Sequence, residues 1–205
     1  MNPGADLARA WLADPAHPIC CDTSALYHPG VLRHLRQRFP QRHILLPTMA
    51  YFERQRQLRV RFGPDYRAEL LRQNLLEPLE IEIVACDEPA ALLLAHMTEQ
   101  TETRALNDLT GSQAWPDEQA RKELIQRHAP ELRTRQANWR PLRQGEPGLA
   151  VPCGQRCRLG DYVIAATAHF FDALLLTTDK SLLGAFERYP DLFSPALRPE
   201  SLIRR

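Results

Sequence analysis

The sequence lacks any apolar run approaching the roughly 20 residues that a membrane-crossing helix needs, so nothing in it predicts a span. Its start is equally poor in apolar stretches of signal-peptide length and carries Asp6, Arg9 and Asp14 instead. Charge of one sign is missing as well: 26 Lys and Arg stand against 25 Asp and Glu, a net charge of +1. The overall balance therefore selects neither an acidic nor a basic partner. Cysteine is scarce and odd in number, five in all, with Cys20 and Cys21 adjacent at the end of an apolar run. That pattern suits buried thiols in a reducing compartment better than a disulfide framework. Repeats and low-complexity runs are absent. What is present is 205 residues of which 44% are hydrophobic, enough to bury a core. These features predict a soluble, cytoplasmic protein of one domain.

The chain alternates strand and helix. Residues 3–14 read as a short amphipathic helix that packs, within an N-terminal extension covering 1–17. Residues 18–21 (PICC) read as a buried strand leading into Asp22, 31–39 as a helix, and 43–46 (HILL) as the next strand. Thr48 is placed to cap a helix over 48–62 that carries Glu53 in its first two turns. A helix over 65–76, a strand over 80–85 (EIEIVA) and a helix over 87–100 follow. Residues 101–158 break the rhythm and read as an insertion, partly helical at 117–128 and otherwise without a clear strand. The parallel crossover pattern predicts an α/β fold: a three-layer α/β/α sandwich around a central parallel sheet.

After the insertion, GDYVIAATAHFFDALLLTTDK returns two carboxylates to one place. A helix of eleven residues advances roughly 16 Å, and a strand of five comes back roughly 17 Å. If Phe171 and Asp172 turn the chain back, Asp161 and Asp179 meet at one edge of the sheet. Each also suits a helix start, where Asp favours the dipole or caps the first turn. Asp22 and Glu53 fall at the same edge, beyond the carboxyl ends of strands, where open parallel sheets bind ligands. Four acids from four segments repel one another unless a cation joins them, and oxygen-only ligation points to Mg2+ or Mn2+.

The segments CCDTSAL, PTMAYFE, GDYVIAATA and LLLTTDK resemble, in order and in kind, the four acidic motifs of PIN-domain nucleases, particularly VapC-like toxins of toxin-antitoxin pairs. The resemblance runs from about residue 19 to the C-terminus, leaving out the insertion. It implies a PIN-like fold and metal-dependent endonucleolytic cleavage of RNA by in-line attack of an activated water. On it, Asp22, Glu53, Asp161 and Asp179 are the catalytic, metal-binding acids, with Ser24 and Thr177 as supporting hydroxyls. It also implies RNA and a protein antitoxin as partners, while homodimerisation stays open. The N-terminal extension, the insertion before the third acid, and Asp172 in place of the usual Gly depart from the pattern. A PIN-like nuclease of RNA processing or defence without an antitoxin, and a non-catalytic RNA-binding module, are the alternatives.

Arginine clusters are the candidates for holding RNA. Arg54, Arg56 and Arg59 follow Glu53 on its helix. Residues 121–158 carry nine Lys or Arg against three acids, including Arg133, Arg135, Arg140 and Arg143, with Trp139 among them. Phosphate contact and base stacking are readings for this stretch; a solvated face is the plainer one. Cys153 and Cys157 lack a second ligand pair at zinc spacing.

Overall fold

A computed structural model describes residues 3–63, 66–110, 123, 148–149 and 157–202. The elements alternate as the apolar pattern predicts. They are α1 (Pro3–Ala13), β1 (Ile19–Cys21), α2 (Pro29–Arg38), β2 (Ile44–Pro47), α3 (Thr48–Phe62), the short α4 (Glu69–Leu71) and β3 (Ile81–Val84). Then come α5 (Glu88–Thr110), a small hairpin of β4 (Gly148–Leu149) and β5 (Cys157–Arg158), α6 (Leu159–Phe170), β6 (Leu174–Leu176), α7 (Lys180–Arg188) and β7 (Ala196–Leu197). The central sheet has five strands, all parallel, in the order β3-β2-β1-β6-β7, and helices cover it in a three-layer α/β/α sandwich.

Strand burial explains the uninterrupted apolar runs. ICC, ILLP and LLL are buried along their whole length, as strands covered on both faces must be, whereas edge strand β3 exposes Glu82. Burying each of the three β6 leucines contributes about 1.5–3 kcal/mol. Pro47, which brings no N–H to the ladder, ends β2 opposite Val84, whose carbonyl accepts from a side-chain donor on the residue after Pro47. That donor is the hydroxyl of Thr48, at 3.0 Å. Thr48 is thus the first residue of α3 and a bridge to β3; the expected N-cap role falls to Pro47, which makes no side-chain cap.

Two arginines that the sequence reading passed over brace the N-terminal extension and the loops around it. Arg42, buried, donates to the carbonyls of Trp11, Leu12 and His17 at 2.7–3.3 Å, closing the carboxyl end of α1. Arg36 donates to the carbonyls of Pro40, Arg42, Leu79 and Glu80. Helix α1 lies against β6 and β7, and Trp11 stacks on His17 with ring centroids 3.9 Å apart. Gly63 ends α3 with φ +82°, a conformation that glycine adopts without strain.

Three expectations are corrected. Helix α5 continues to Thr110 with Thr101 fully buried, so residues 101–110 extend a core helix rather than open the insertion. The stretch read as strand-free carries the two-residue strands β4 and β5. The helix expected over 65–76 is a short α-helical turn that widens into a π-helix over Arg72–Leu76. The fifth strand, β7, was not expected at all; two residues are too short for a periodic signal.

Candidate active site

The chain runs outward from β1 through β2 to β3, then crosses back to β6 on the other side of β1 and outward again to β7. The winding therefore reverses between β1 and β6. At such a point the helices leave in opposite directions and a crevice opens beyond the strand ends. The register sets its floor: Cys21 pairs level with Leu176, and the N–H of Asp22 donates to the carbonyl of Leu176 at 3.0 Å. The next residues of both strands, Asp22 and Thr177, are neighbours for that reason.

A cleft of about 470 Å³ opens at this reversal, and all four acids line it. Asp22 comes from the end of β1, Glu53 from α3, Asp161 from the first turn of α6, and Asp179 from the turn after β6. Helix and strand cancel in length as expected, with Asp172 at φ +50° making the turn between them. Thr23, Ser24, Tyr27, Gln57, Thr178, Lys180 and Ser181 complete the walls, and Lys180 is the sole cation among these lining residues.

Asp22 is the most constrained of the four, only 5% exposed. Its Oδ1 accepts from the N–H of Thr23 at 2.5 Å, and its Oδ2 accepts from the hydroxyls of Ser24 and Thr177, both at 2.7 Å. Burial pushes its carboxyl above the usual Asp range, and these hydrogen bonds pull it back only in part. Each hydroxyl also accepts a backbone N–H: Ser24 from Thr178 at 2.8 Å, Thr177 from Asp179 at 2.9 Å. With its proton committed to Asp22, each hydroxyl locks the first acid to the loop that carries the last.

Glu53 is held from two sides. Its Oε2 accepts from the Thr23 hydroxyl at 2.6 Å, and its Oε1 rests so close to Gly160 that a Cβ there would approach to 2.8 Å. Gly160, beside Asp161, thus admits the carboxylate against the start of α6. Asp179 caps α7, its Oδ1 accepting from Ser181 at 2.5 Å and Leu182 at 3.3 Å. Capping engages one oxygen of Asp179, and the residue still lines the cleft. Thr23 and Gly160 were missed by the sequence reading; neither carries a chemical signal apart from the acid it positions.

Below Asp22, burial pushes the Cys20 thiol up and that of Cys21 up to about 12, so both are inert floor rather than ligands. Arg54 lies against the cleft wall, its guanidinium 4.0 Å from the centre of the Tyr27 ring, while Arg56 and Arg59 are exposed further along α3. Arg54 also lines a second, apolar hollow of about 450 Å³ with Leu58, Phe62, Leu70 and Leu75. Arg133, Arg135, Arg140, Arg143, Trp139 and Cys153 lie outside the described residues.

Compared with protein-family models, characterised proteins and solved structures, the chain matches none. Likeness to the PIN nucleases accordingly rests on the four motif segments. Among the described residues no three His, Cys, Asp or Glu side chains gather tightly enough to hold a metal ion by themselves. The donor set still fits a hard cation: oxygen ligands only, one of them buried, along one cleft. Mg2+ in particular retains several waters and takes only one or two carboxylates directly, so it needs no closed protein cage. No helix among the described residues is long and apolar enough to cross a membrane.

Proposed function

We propose that this chain is a metal-dependent endoribonuclease of the PIN type, the toxin of a toxin-antitoxin pair. The observation that supports it is the convergence of Asp22, Glu53, Asp161 and Asp179, from four separate segments, on one cleft at the reversal of the sheet. Helix starts account for Asp22, Asp161 and Asp179 one at a time but not for four carboxylates along one crevice, where like charges cost stability.

Mg2+ or Mn2+, when bound by these acids, would polarise a phosphodiester and lower the pKa of a water for in-line attack. The protein's own part is placement. Ser24 and Thr177 fix the orientation of Asp22, Thr23 and Gly160 fix Glu53, and the cap of α7 fixes Asp179. No side-chain nucleophile is needed, and the hydroxyls of Ser24 and Thr177 are already donated. Lys180 at the rim offers a cation to a phosphate that approaches the acids.

The test is cleavage of a mixed RNA substrate by the purified chain in Mg2+ or Mn2+, with EDTA and the Asp161→Asn variant as controls. Loss of cleavage in both controls is expected; activity that survives either one refutes the assignment. The antitoxin predicts a small upstream reading frame whose product binds the chain and blocks cleavage. Cleavage without such a frame favours a nuclease of RNA processing or defence.

A further inference from the structure

We infer that Tyr27, backed by Arg54, is a stacking platform for an unpaired RNA base beside the acidic cleft, an inference that rests on the ribonuclease reading. Tyr27 closes the turn Thr23–Tyr27 that begins at the first acid, and it lines the cleft as a residue 51% exposed. What separates it from the other exposed aromatics Phe52, Phe62 and Phe170 is its place on the wall of the acidic cleft.

The ring is also fixed in place. Its hydroxyl donates to Oε1 of Gln57 at 2.5 Å, and Gln57 stands one helical turn beyond Glu53 on α3. The Arg54 guanidinium covers the ring 4.0 Å from its centroid. The buried Nε of Arg54 has no hydrogen-bond partner among the described residues, so stacking on Tyr27 is what orients it. A ring braced by a hydrogen bond and a cation loses little freedom when a ligand arrives. Tyr27 shares the wall of the cleft with the four acids, so a base beside a phosphate held there is the natural partner for its ring.

A flat, pre-set ring whose hydroxyl is already donated to Gln57 offers a base its face to stack on rather than a hydrogen bond to its edge. Duplex bases hide their faces, so the ligand is single-stranded, and the preference at this position follows stacking strength. Purines are therefore favoured over pyrimidines, without strict sequence specificity.

The experiment measures binding of a fluorescent oligoribonucleotide in Mg2+, in the Asp161→Asn background so that the RNA survives, together with a series carrying one abasic site at each position in turn. One position is expected to be sensitive, weakening binding about tenfold when its base is removed. Tyr27→Ala should show the same loss on intact RNA and no further loss at that abasic position, while Tyr27→Phe keeps most of the affinity. Unchanged binding by Tyr27→Ala, or an abasic penalty that persists in it, overturns the platform and leaves the nuclease reading standing. Absence of RNA binding by both the Asp161→Asn protein and the wild type overturns the nuclease reading, and the platform with it.

Discussion

Burying a carboxylate to the degree of Asp22 sets two opposing effects against each other. Desolvation raises its pKa, hydrogen bonds from Thr177, Ser24 and Thr23 lower it, and desolvation wins. A folded-state pKa above the unfolded value means that the native state binds more protons, so the ionised residue costs stability as pH rises from about 4 through the folded pKa. Asp22→Asn removes that cost. Without metal, the thermal midpoint of Asp22→Asn relative to wild type should therefore climb between pH 4 and pH 7, while cleavage is lost; a pH-independent difference would mean the buried charge is not the source. Gly160→Ala probes the neighbouring acid. A helix gains up to about 1 kcal/mol from Ala over Gly, so stability should hold or rise. The new Cβ would meet Glu53 Oε1, and cleavage should fall because that carboxylate must move. Full metal-dependent activity in Gly160→Ala would show that the position of Glu53 is not critical.

Between elements, the return from α6 to β6 decides whether the third and fourth acids share a cleft. Asp172 makes that turn at φ +50° and lies 3.1 Å from His17, so its side chain also ties the turn to the end of the N-terminal extension. Asp tolerates the left-handed region; a β-branched residue does not. Asp172→Val is expected to lower stability by about 1–3 kcal/mol in chemical denaturation, and a variant as stable as wild type would mean that the turn relaxes freely. The pair Arg104 and Asp191, joined at 2.8 and 2.6 Å, links α5 to the loop after α7. Its exposure keeps its contribution small, about 0–1 kcal/mol.

For the whole molecule, the cation and the fold are linked. A metal that binds only the folded cleft stabilises the protein by mass action, about 2.7 kcal/mol at a concentration of 100 Kd. Mg2+ or Mn2+ should raise the thermal midpoint of the wild type, and the shift should disappear in the double variant Asp22→Asn/Asp179→Asn. An equal shift in that variant would place the metal elsewhere. Much of this architecture was legible in the sequence. Uninterrupted apolar runs such as HILL and ALLL announced strands covered on both faces, and α3 and the α6–β6 return followed from period and length. The same local chemistry marked Asp22, Glu53, Asp161 and Asp179 as acids at the ends of strands or the starts of helices. What only the tertiary structure decided was level and distance. The register of Cys21 with Leu176, the Ser24 and Thr177 hydroxyls shared on one oxygen of Asp22, the seat of Glu53 on Gly160, and the Tyr27–Arg54 stack all join residues far apart in the chain. Local propensity reports what a segment does alone; such contacts exist only once strand pairing has fixed which segments lie side by side.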